Sequence, residues 1–271
     1  MKRFGIITCA LTLLLSGASL AVAGNLRLDG STTVLPIAQK VAEAYMKEHP
    51  ELAIAVSGGG SGNGIKAIID GTVEIGNSSR FIKDDEVKQA VEKGAYPVPF
   101  AIGYDCIVPV VHPSNPVNNL TLDQLKGIYK GEIKNWKDLG GPDLKIVVIS
   151  RDTSSGTYEV WEEKVMKKER VSPAAMLQAS NGAIVQAVST NKFAIGYIGL
   201  GYVNQTVKPV TVNGIRGTEE TTLNGTYPIA RPLFMFTRGW PTGETLNFIN
   251  FVLLPQRGQK LVKEAGFVPL Y

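Results

Sequence analysis

Four clusters of Ser, Thr and Gly contain the residue types best suited to chemistry in this sequence. They are residues 30–33, 58–64, 76–80 and 151–157, and each follows a strand-like run and precedes a helix-like one. The N-terminus of a helix presents free backbone N–H groups and the positive end of the helix dipole. Hydroxyl side chains add further donors, and glycine lets the backbone approach a ligand closely. Several such helix ends together predict a site for one small oxyanion.

Two arginines lie inside these clusters and would supply the countercharge. Arg151 comes directly before a run of hydroxyl residues, and its planar guanidinium group matches the geometry of an oxyanion. Arg80 directly follows two serines, where it would contact the anion, cap the next helix or line the mouth of the site.

The sequence offers little for catalysis or for metal binding. The glycine-rich loop is not followed at once by lysine, as a phosphate-binding P-loop requires. Neither Ser61 nor Ser155 lies in a G-x-S-x-G elbow. The two histidines, His49 and His112, stand alone before prolines, and no Cys/His cluster has metal-ligand spacing. We therefore expect a protein that is not an enzyme, with no catalytic residues, no metal and no cofactor.

The first 23 residues have the features of a secretory signal peptide. A basic start at Lys2 and Arg3 precedes a largely apolar run over residues 4–15, and residues 21–23 fit the A-x-A cleavage pattern. The alternative is an N-terminal membrane anchor, for which the apolar run is short. We expect export, periplasmic in a cell with two membranes, and cleavage near Ala23.

The remaining chain has a nearly balanced charge and one cysteine. Without Lys2 and Arg3 the basic excess almost disappears, which gives no support for a nucleic-acid partner. Cys106 has no partner for an intramolecular disulfide, and its apolar neighbours predict a buried, inert thiol.

Strand-like and helix-like segments alternate along this chain, which favours an α/β fold. Helical spacing follows the first cluster, and Ser31 or Thr32 is the predicted N-cap. A capping-box pattern at residues 121–124 predicts another helix start, and a helix is predicted over residues 157–168. The helix predicted over residues 244–265 should be interrupted near Pro255.

Two apolar strands, residues 98–111 and 231–237, flank a separate alternating unit. They predict two lobes that are joined by two crossings, with a ligand in the cleft between them. The first lobe would hold residues 24–110 and 231–271, and the second would hold residues 111–230.

At these residues the chain resembles the phosphate-binding proteins of bacterial ABC-type phosphate uptake systems. The resemblance covers essentially the whole mature chain, and the order and spacing of several segments together make it specific. Those segments are residues 29–34, 60–64, 151–157, 180–183 and 194–199.

The resemblance implies a two-lobed, periplasmic-binding-protein-like fold of type II that closes over one inorganic phosphate ion. It implies delivery to the membrane subunits of an ABC permease, and we expect a monomer. Sulfate or another tetrahedral oxyanion is the alternative ligand, and an exported phosphate-ester hydrolase is a third, weaker hypothesis. The predicted phosphate contacts are Ser31, Thr32, Thr33, Ser61, Ser79, Arg80, Arg151, Ser155, Gly156 and Thr157.

One position departs from the family pattern. Better-known members carry an Asp in the third cluster that accepts a hydrogen bond from protonated phosphate, and Ser79 stands at that position here. A lone serine can also donate, so alone it should discriminate poorly against sulfate. We therefore expect a nearby acid, Asp29 or Asp152, to accept the proton.

Overall fold

A computed structural model of the protein describes residues 25–271. The predicted signal peptide and its cleavage site lie outside the described residues. None of the helices between residues 25 and 271 is long and apolar enough to cross a lipid bilayer.

The described chain alternates strands and helices from its first element onward. The strands are β1 (Asn25–Gly30), β2 (Ala53–Val56), β3 (Ile75–Ser78), β4 (Val98–Val111), β5 (Asn119–Leu120), β6 (Val147–Arg151), β7 (Met176–Gln178), β8 (Ala194–Gly199), β9 (Lys208–Pro209), β10 (Thr211–Val212) and β11 (Ala230–Thr237). The helices are α1 (Leu35–Glu48), α2 (Ser61–Asp70), α3 (Asp84–Glu92), α4 (Leu122–Lys130), α5 (Gly156–Lys164), α6 (Asn181–Ser189), α7 (Glu219–Leu223), α8 (Gly243–Leu253) and α9 (Lys260–Glu264).

One continuous sheet runs through both halves of the molecule. Its strand order is β2-β1-β3-β11-β4-β8-β6-β7, with β9 paired to β4, while β10 and β5 form a separate parallel pair. Strands β1, β2 and β3 are parallel, as are β6, β7 and β8, so several strands end at the same edge of each half. The long strands β4 and β11 are antiparallel to each other and pass between the halves.

Buried hydrophobic side chains form one cluster in the second half and two in the first, where the smaller cluster packs around α2 and α3. The first lobe's core includes Ile102 and Leu233, and the second lobe's core includes Cys106 and Ile229. Core membership therefore changes within residues 103–105 of β4 and 230–232 of β11. The first crossing therefore lies near residues 103–105 rather than near the predicted residue 110, because the end of β4 packs in the second core. The second crossing lies near residue 230, where it was predicted.

Local signals explain most helix boundaries. Thr121 caps α4 through the predicted box, since its hydroxyl accepts from the Gln124 N–H at 3.1 Å. A π-helical turn that begins at Pro255 separates α8 from α9, as predicted. The N-cap predicted at Ser31 or Thr32 was wrong, since Val34 holds that position in α1.

Helix α5 ends earlier than predicted. It stops at Lys164, and Lys167 and Lys168 adopt left-handed backbone angles, with φ of 54° and 64°. Left-handed residues cannot continue a right-handed α-helix, so the predicted extension to residue 168 is absent.

Candidate functional site

The ends of three helices and of several strands meet where the two lobes touch. Thr33, just before α1, lies with its Oγ1 3.1 Å from the Oγ1 of Thr157, in the first turn of α5. These hydroxyls belong to different lobes, and both side chains are buried. Backbone contacts follow the same seam, because the Gly62 N–H of α2 donates to the carbonyl of Ser154 at 2.9 Å. The interlobe site predicted from the clusters is thus a buried seam of hydroxyl groups and helix N-termini.

Two serines of the first lobe face the start of α5. The Oγ atoms of Ser61 and Ser79 are 3.3 Å apart, and the Ser79 N–H donates to Ser61 Oγ at 3.0 Å. A side chain at Gly156 would overlap Ser61 Oγ and would lie 2.9 Å from Ser79 Oγ. Only glycine therefore lets the first N–H groups of α5, which have no acceptor inside their own helix, come this close to the serines.

Two other predicted hydroxyls stabilise the helix ends. Ser155 Oγ accepts from the Tyr158 N–H at 3.2 Å and so caps α5. Ser31 Oγ accepts from the Thr33 N–H at 3.1 Å, in the turn that precedes α1. Because each oxygen accepts from the backbone, each O–H is still able to donate.

Arg151 is the buried cation of the second lobe. Its Nε and Nη2 donate to the carbonyls of Gln178 and Ala179, each at 3.0 Å, which fixes the plane of the guanidinium group. Its Nη1 is buried and has no hydrogen-bond acceptor among residues 25–271. Burial lowers the pKa of Arg151, and the nearby Asp152 carboxylate acts in the opposite direction. A guanidinium group held in this way retains one N–H face for an anion.

A second buried arginine, which the sequence analysis did not identify, lies where β4 and β11 cross between the lobes. Arg231 donates from Nε and Nη2 to Asp105 Oδ2 at 3.0 and 2.7 Å. Its Nη2 also lies 3.2 Å from Thr33 Oγ1 and 3.0 Å from Thr157 Oγ1, so it contacts both lobes. Burial raises the pKa of the Asp105 carboxyl, and the positive charge of Arg231 opposes that shift.

Asn181 is another site residue outside the predicted set, although its segment was part of the family resemblance. It begins α6, and its Nδ2 donates to Thr32 Oγ1 and to Thr33 Oγ1, both at 3.1 Å. Its Oδ1 accepts from the Gly199 N–H at 3.1 Å, which fixes the orientation of the amide. The amide therefore connects a helix end of the second lobe to hydroxyls of the first.

Arg80 pairs with carboxylates. Its two terminal nitrogens donate to Glu86, at 2.7 and 2.6 Å, and its Nε lies against Glu159 of α5. Lys83 lies 3.0 Å from the same Glu159 oxygen. We call Arg80, Lys83, Glu86 and Glu159 the interlobe ion cluster, because it joins the first lobe to α5 of the second. Phosphate contact by Arg80 stays a prediction, since these carboxylates occupy its guanidinium group.

The two acids expected to accept a ligand proton have other partners. Asp29 Oδ1 accepts from Ser57 Oγ at 2.8 Å. Asp152 Oδ1 accepts from the Ser154 N–H at 2.9 Å and from the Ser154 hydroxyl. The acid that is fully buried beside the hydroxyls is Asp105, and its Oδ1 accepts from the Leu200 N–H at 2.8 Å.

The charges of the site favour an anion. Asp105 balances Arg231, whereas the nearest acid to Arg151 is Asp152, 3.7 Å away and 34% exposed. Residues 25–271 contain no group of three or more His, Cys, Asp or Glu side chains that could hold a metal ion. Hydroxyls, helix N-termini and one buried guanidinium face can bind and orient an oxyanion by hydrogen bonds.

The fold and this site together define a two-lobed binding protein whose lobes meet over a buried cluster of hydroxyl groups, helix N-termini and arginines. A family model described as the PBP superfamily domain matches residues 16–256. The phosphate-binding protein PstS of Staphylococcus epidermidis (strain ATCC 12228) is 35% identical over 267 residues, which is 93% of this chain and 81% of that protein. Protein SphX of Synechococcus elongatus is 32% identical over 259 residues, or 89% of this chain and 76% of that protein.

Solved structures agree with these relatives. A Clostridium perfringens substrate-binding protein, described as that of a phosphate ABC transporter and crystallised with bound phosphate, has a TM-score of 0.86 and 37% identity. The alignment covers 92% of this chain and all of that one. An ABC-type phosphate transport receptor from Vibrio cholerae has a TM-score of 0.73 and 34% identity, over 90% of this chain and 99% of that one. The chain belongs to the PBP superfamily and, within it, to the phosphate-binding proteins of ABC-type phosphate uptake systems.

Proposed function

We propose that this protein is a phosphate receptor, which binds one inorganic phosphate ion between its lobes and delivers it to an ABC permease. The observation that carries the proposal is the buried Nη1 of Arg151, which has no acceptor among residues 25–271 and belongs to a site rich in donors. A buried guanidinium group without a full set of acceptors is costly, and an oxyanion supplies those acceptors. The relatives named as phosphate-binding proteins support phosphate as that anion.

The division of donors between the lobes supports a receptor that closes on its ligand. Ser61 and Thr33 come from the first lobe, and Thr157, Gly156 and Arg151 come from the second. An ion that is contacted from both sides binds the closed form more tightly than the open form, and so shifts the population towards closure. A receptor of this kind needs no nucleophile or metal, and we propose that it has no enzymatic activity.

The remaining parts of the proposal concern the setting of the protein. We propose that residues 1–23 direct export and are removed near Ala23, and that the mature protein acts as a monomer. Sulfate is the second candidate ligand, because Ser79 and Ser61, rather than a carboxylate, face the start of α5.

Isothermal titration of a chain that lacks residues 1–23 tests the proposal. We expect one phosphate per chain, with sulfate bound more weakly. Tighter binding of sulfate than of phosphate would transfer the assignment to sulfate. A phosphatase assay with a generic phosphate ester tests the absence of enzymatic activity, with Arg151→Ala as the control preparation. Release of phosphate by the parent but not by the control would contradict the proposal that the protein has no enzymatic activity.

A further inference from the structure

The Ser61 and Ser79 hydroxyls form a pair whose hydrogen atoms can be counted. Both side chains are buried, with 0% and 1% of their surface exposed. Their Oγ atoms are within hydrogen-bonding distance of each other, and Ser61 Oγ also accepts the Ser79 N–H. Each hydroxyl has one hydrogen atom and two lone pairs. One of the two hydrogen atoms is used inside the pair, whichever serine donates it.

The pair therefore presents one O–H donor and two free lone pairs to a bound ion. If Ser79 donates to Ser61, both lone pairs of Ser61 are filled, its O–H points to the ion, and Ser79 can only accept. If Ser61 donates to Ser79, the Ser79 O–H points to the ion and one lone pair on each serine remains free. Either arrangement suits an ion that carries a proton.

The two threonines of the seam, Thr33 and Thr157, have no free lone pair for that proton. Thr33 Oγ1 accepts from Arg231 Nη2 and from Asn181 Nδ2, which fills its two lone pairs and leaves its O–H as a donor. The Thr33 O–H therefore donates to Thr157 Oγ1, 3.1 Å away, and Thr157 Oγ1 also accepts from Arg231, so both of its lone pairs are filled. Ser155 Oγ accepts one backbone N–H and keeps one lone pair, one fewer than the serine pair. The buried acid Asp105 is engaged by Arg231 and by a backbone N–H.

We propose that the Ser61–Ser79 pair accepts the proton of bound phosphate and so selects phosphate over sulfate. The inference rests on the proposed function. Phosphate near neutral pH keeps at least one proton, which a free lone pair accepts, whereas sulfate has none. A sulfate oxygen must either lie against a free lone pair, where two acceptors repel each other, or sulfate must break the bond between the serines so that both hydroxyls donate to it.

The pair predicts only a modest selectivity. Breaking one buried hydrogen bond lowers affinity by about two- to tenfold, and sulfate takes this cheaper route. A fixed carboxylate acceptor offers no such route and would discriminate more strongly. We therefore expect the pair to contribute roughly tenfold or less to the ratio of phosphate to sulfate affinity.

Competition titrations with phosphate, arsenate and sulfate on three variants test the inference. Ser79→Ala and Ser61→Ala each destroy the pair, and both should lower the phosphate-to-sulfate ratio by about two- to tenfold. The phosphate-to-arsenate ratio should stay within about twofold, since arsenate also carries a proton. Ser78→Ala is the matched control. It removes a buried hydroxyl that donates to the Arg80 carbonyl and accepts from the Arg80 N–H, and that makes no hydrogen bond to either serine of the pair, so its ratios should equal those of the parent.

The outcomes separate this inference from the proposed function. A parent protein that binds no phosphate would refute the proposed function and, with it, the role of the pair. A parent that binds phosphate, with a phosphate-to-sulfate ratio unchanged in both pair variants, would refute the pair alone. Equal shifts of the arsenate and sulfate ratios would also refute it, because they would reflect packing rather than the ligand proton.

Discussion

The interlobe ion cluster should stabilise the closed form, and Glu159→Gln tests this directly. Glu159 lies on α5 of the second lobe, and its carboxylate contacts Arg80 and Lys83 of the first lobe. Opening the cleft would separate these groups and return them to water. The substitution keeps the size of the side chain and removes its charge, so it weakens the closed form without blocking the anion site.

The structure gives a rough magnitude for this change. Arg80 and Glu159 have side chains only 7% and 13% exposed, so solvent screens their attraction little. Arg80 Nε and Glu159 Oε2 are in contact without the geometry of a hydrogen bond, so they interact as an ion pair. An ion pair contributes about 1 kcal/mol when it is exposed, and the loss of one partner costs about 3–5 kcal/mol when it is fully buried. Glu86 still neutralises Arg80 in the variant, and burial raises the pKa of Glu159 despite the two cations, so part of the attraction only offsets the cost of burial. We therefore expect a value near the lower figure, which makes the phosphate affinity about tenfold weaker.

Isothermal titration gives the affinity, and stopped-flow release of phosphate shows which rate changes. Because the contacts of Glu159 with Arg80 and Lys83 form only when the cleft closes, we expect the weaker affinity to result mainly from faster release of phosphate. Glu163→Gln is the matched control, since it removes the same charge from an exposed position of α5. Equal affinity and equal release rates in Glu159→Gln and the parent would refute a stabilising role for the cluster.

Further predictions follow from the site and from the cores. Arg151→Ala should weaken phosphate binding by about tenfold to a hundredfold or more in a protein that still folds. The control Arg216→Ala removes an exposed arginine and should leave the affinity unchanged. Binding by Arg151→Ala within twofold of the parent would exclude Arg151 as the charged contact. Small-angle scattering should show a smaller radius of gyration with phosphate than without it, and unchanged scattering at saturation would contradict closure. Asp29→Asn and Asp152→Asn should keep the parent's phosphate-to-sulfate ratio, and a large fall in either would identify that acid as the proton acceptor. Burial raises the pKa of the Cys106 thiol to about 12, so a chain without residues 1–23 should react with a thiol reagent only after unfolding, and rapid reaction of the native protein would contradict this burial.

Local sequence patterns were enough to predict the α/β two-lobed fold, and the comparisons confirm it. Glycine, serine and threonine after a strand predict a loop, and this signal depends only on residues that are adjacent in sequence. The capping box at Thr121 and the interruption at Pro255 are local in the same sense, and both were found. The first crossing was harder to place, because β4 is apolar on both sides of the change from one core to the other, and Asp105 is the only charged residue that marks it.

The pair of Asp105 and Arg231 shows why part of the site could not be predicted. The two residues are 126 positions apart, and they meet because the register of β4 and β11 places them opposite each other. The available signal was weak, namely a lone charge inside each of two apolar strands. Arg80 shows the same limit, since its neighbour Glu86 is close in sequence but Glu159 reaches it only through interlobe packing.

A crystal structure of the phosphate complex tests the central claim most directly. We predict one phosphate ion between the lobes, hydrogen-bonded to Arg151 Nη1, to the first N–H groups of α5 and to the hydroxyls of Ser61 and Thr157. A phosphate ion bound elsewhere on the protein, or one that does not contact Arg151 at full occupancy, would contradict the account.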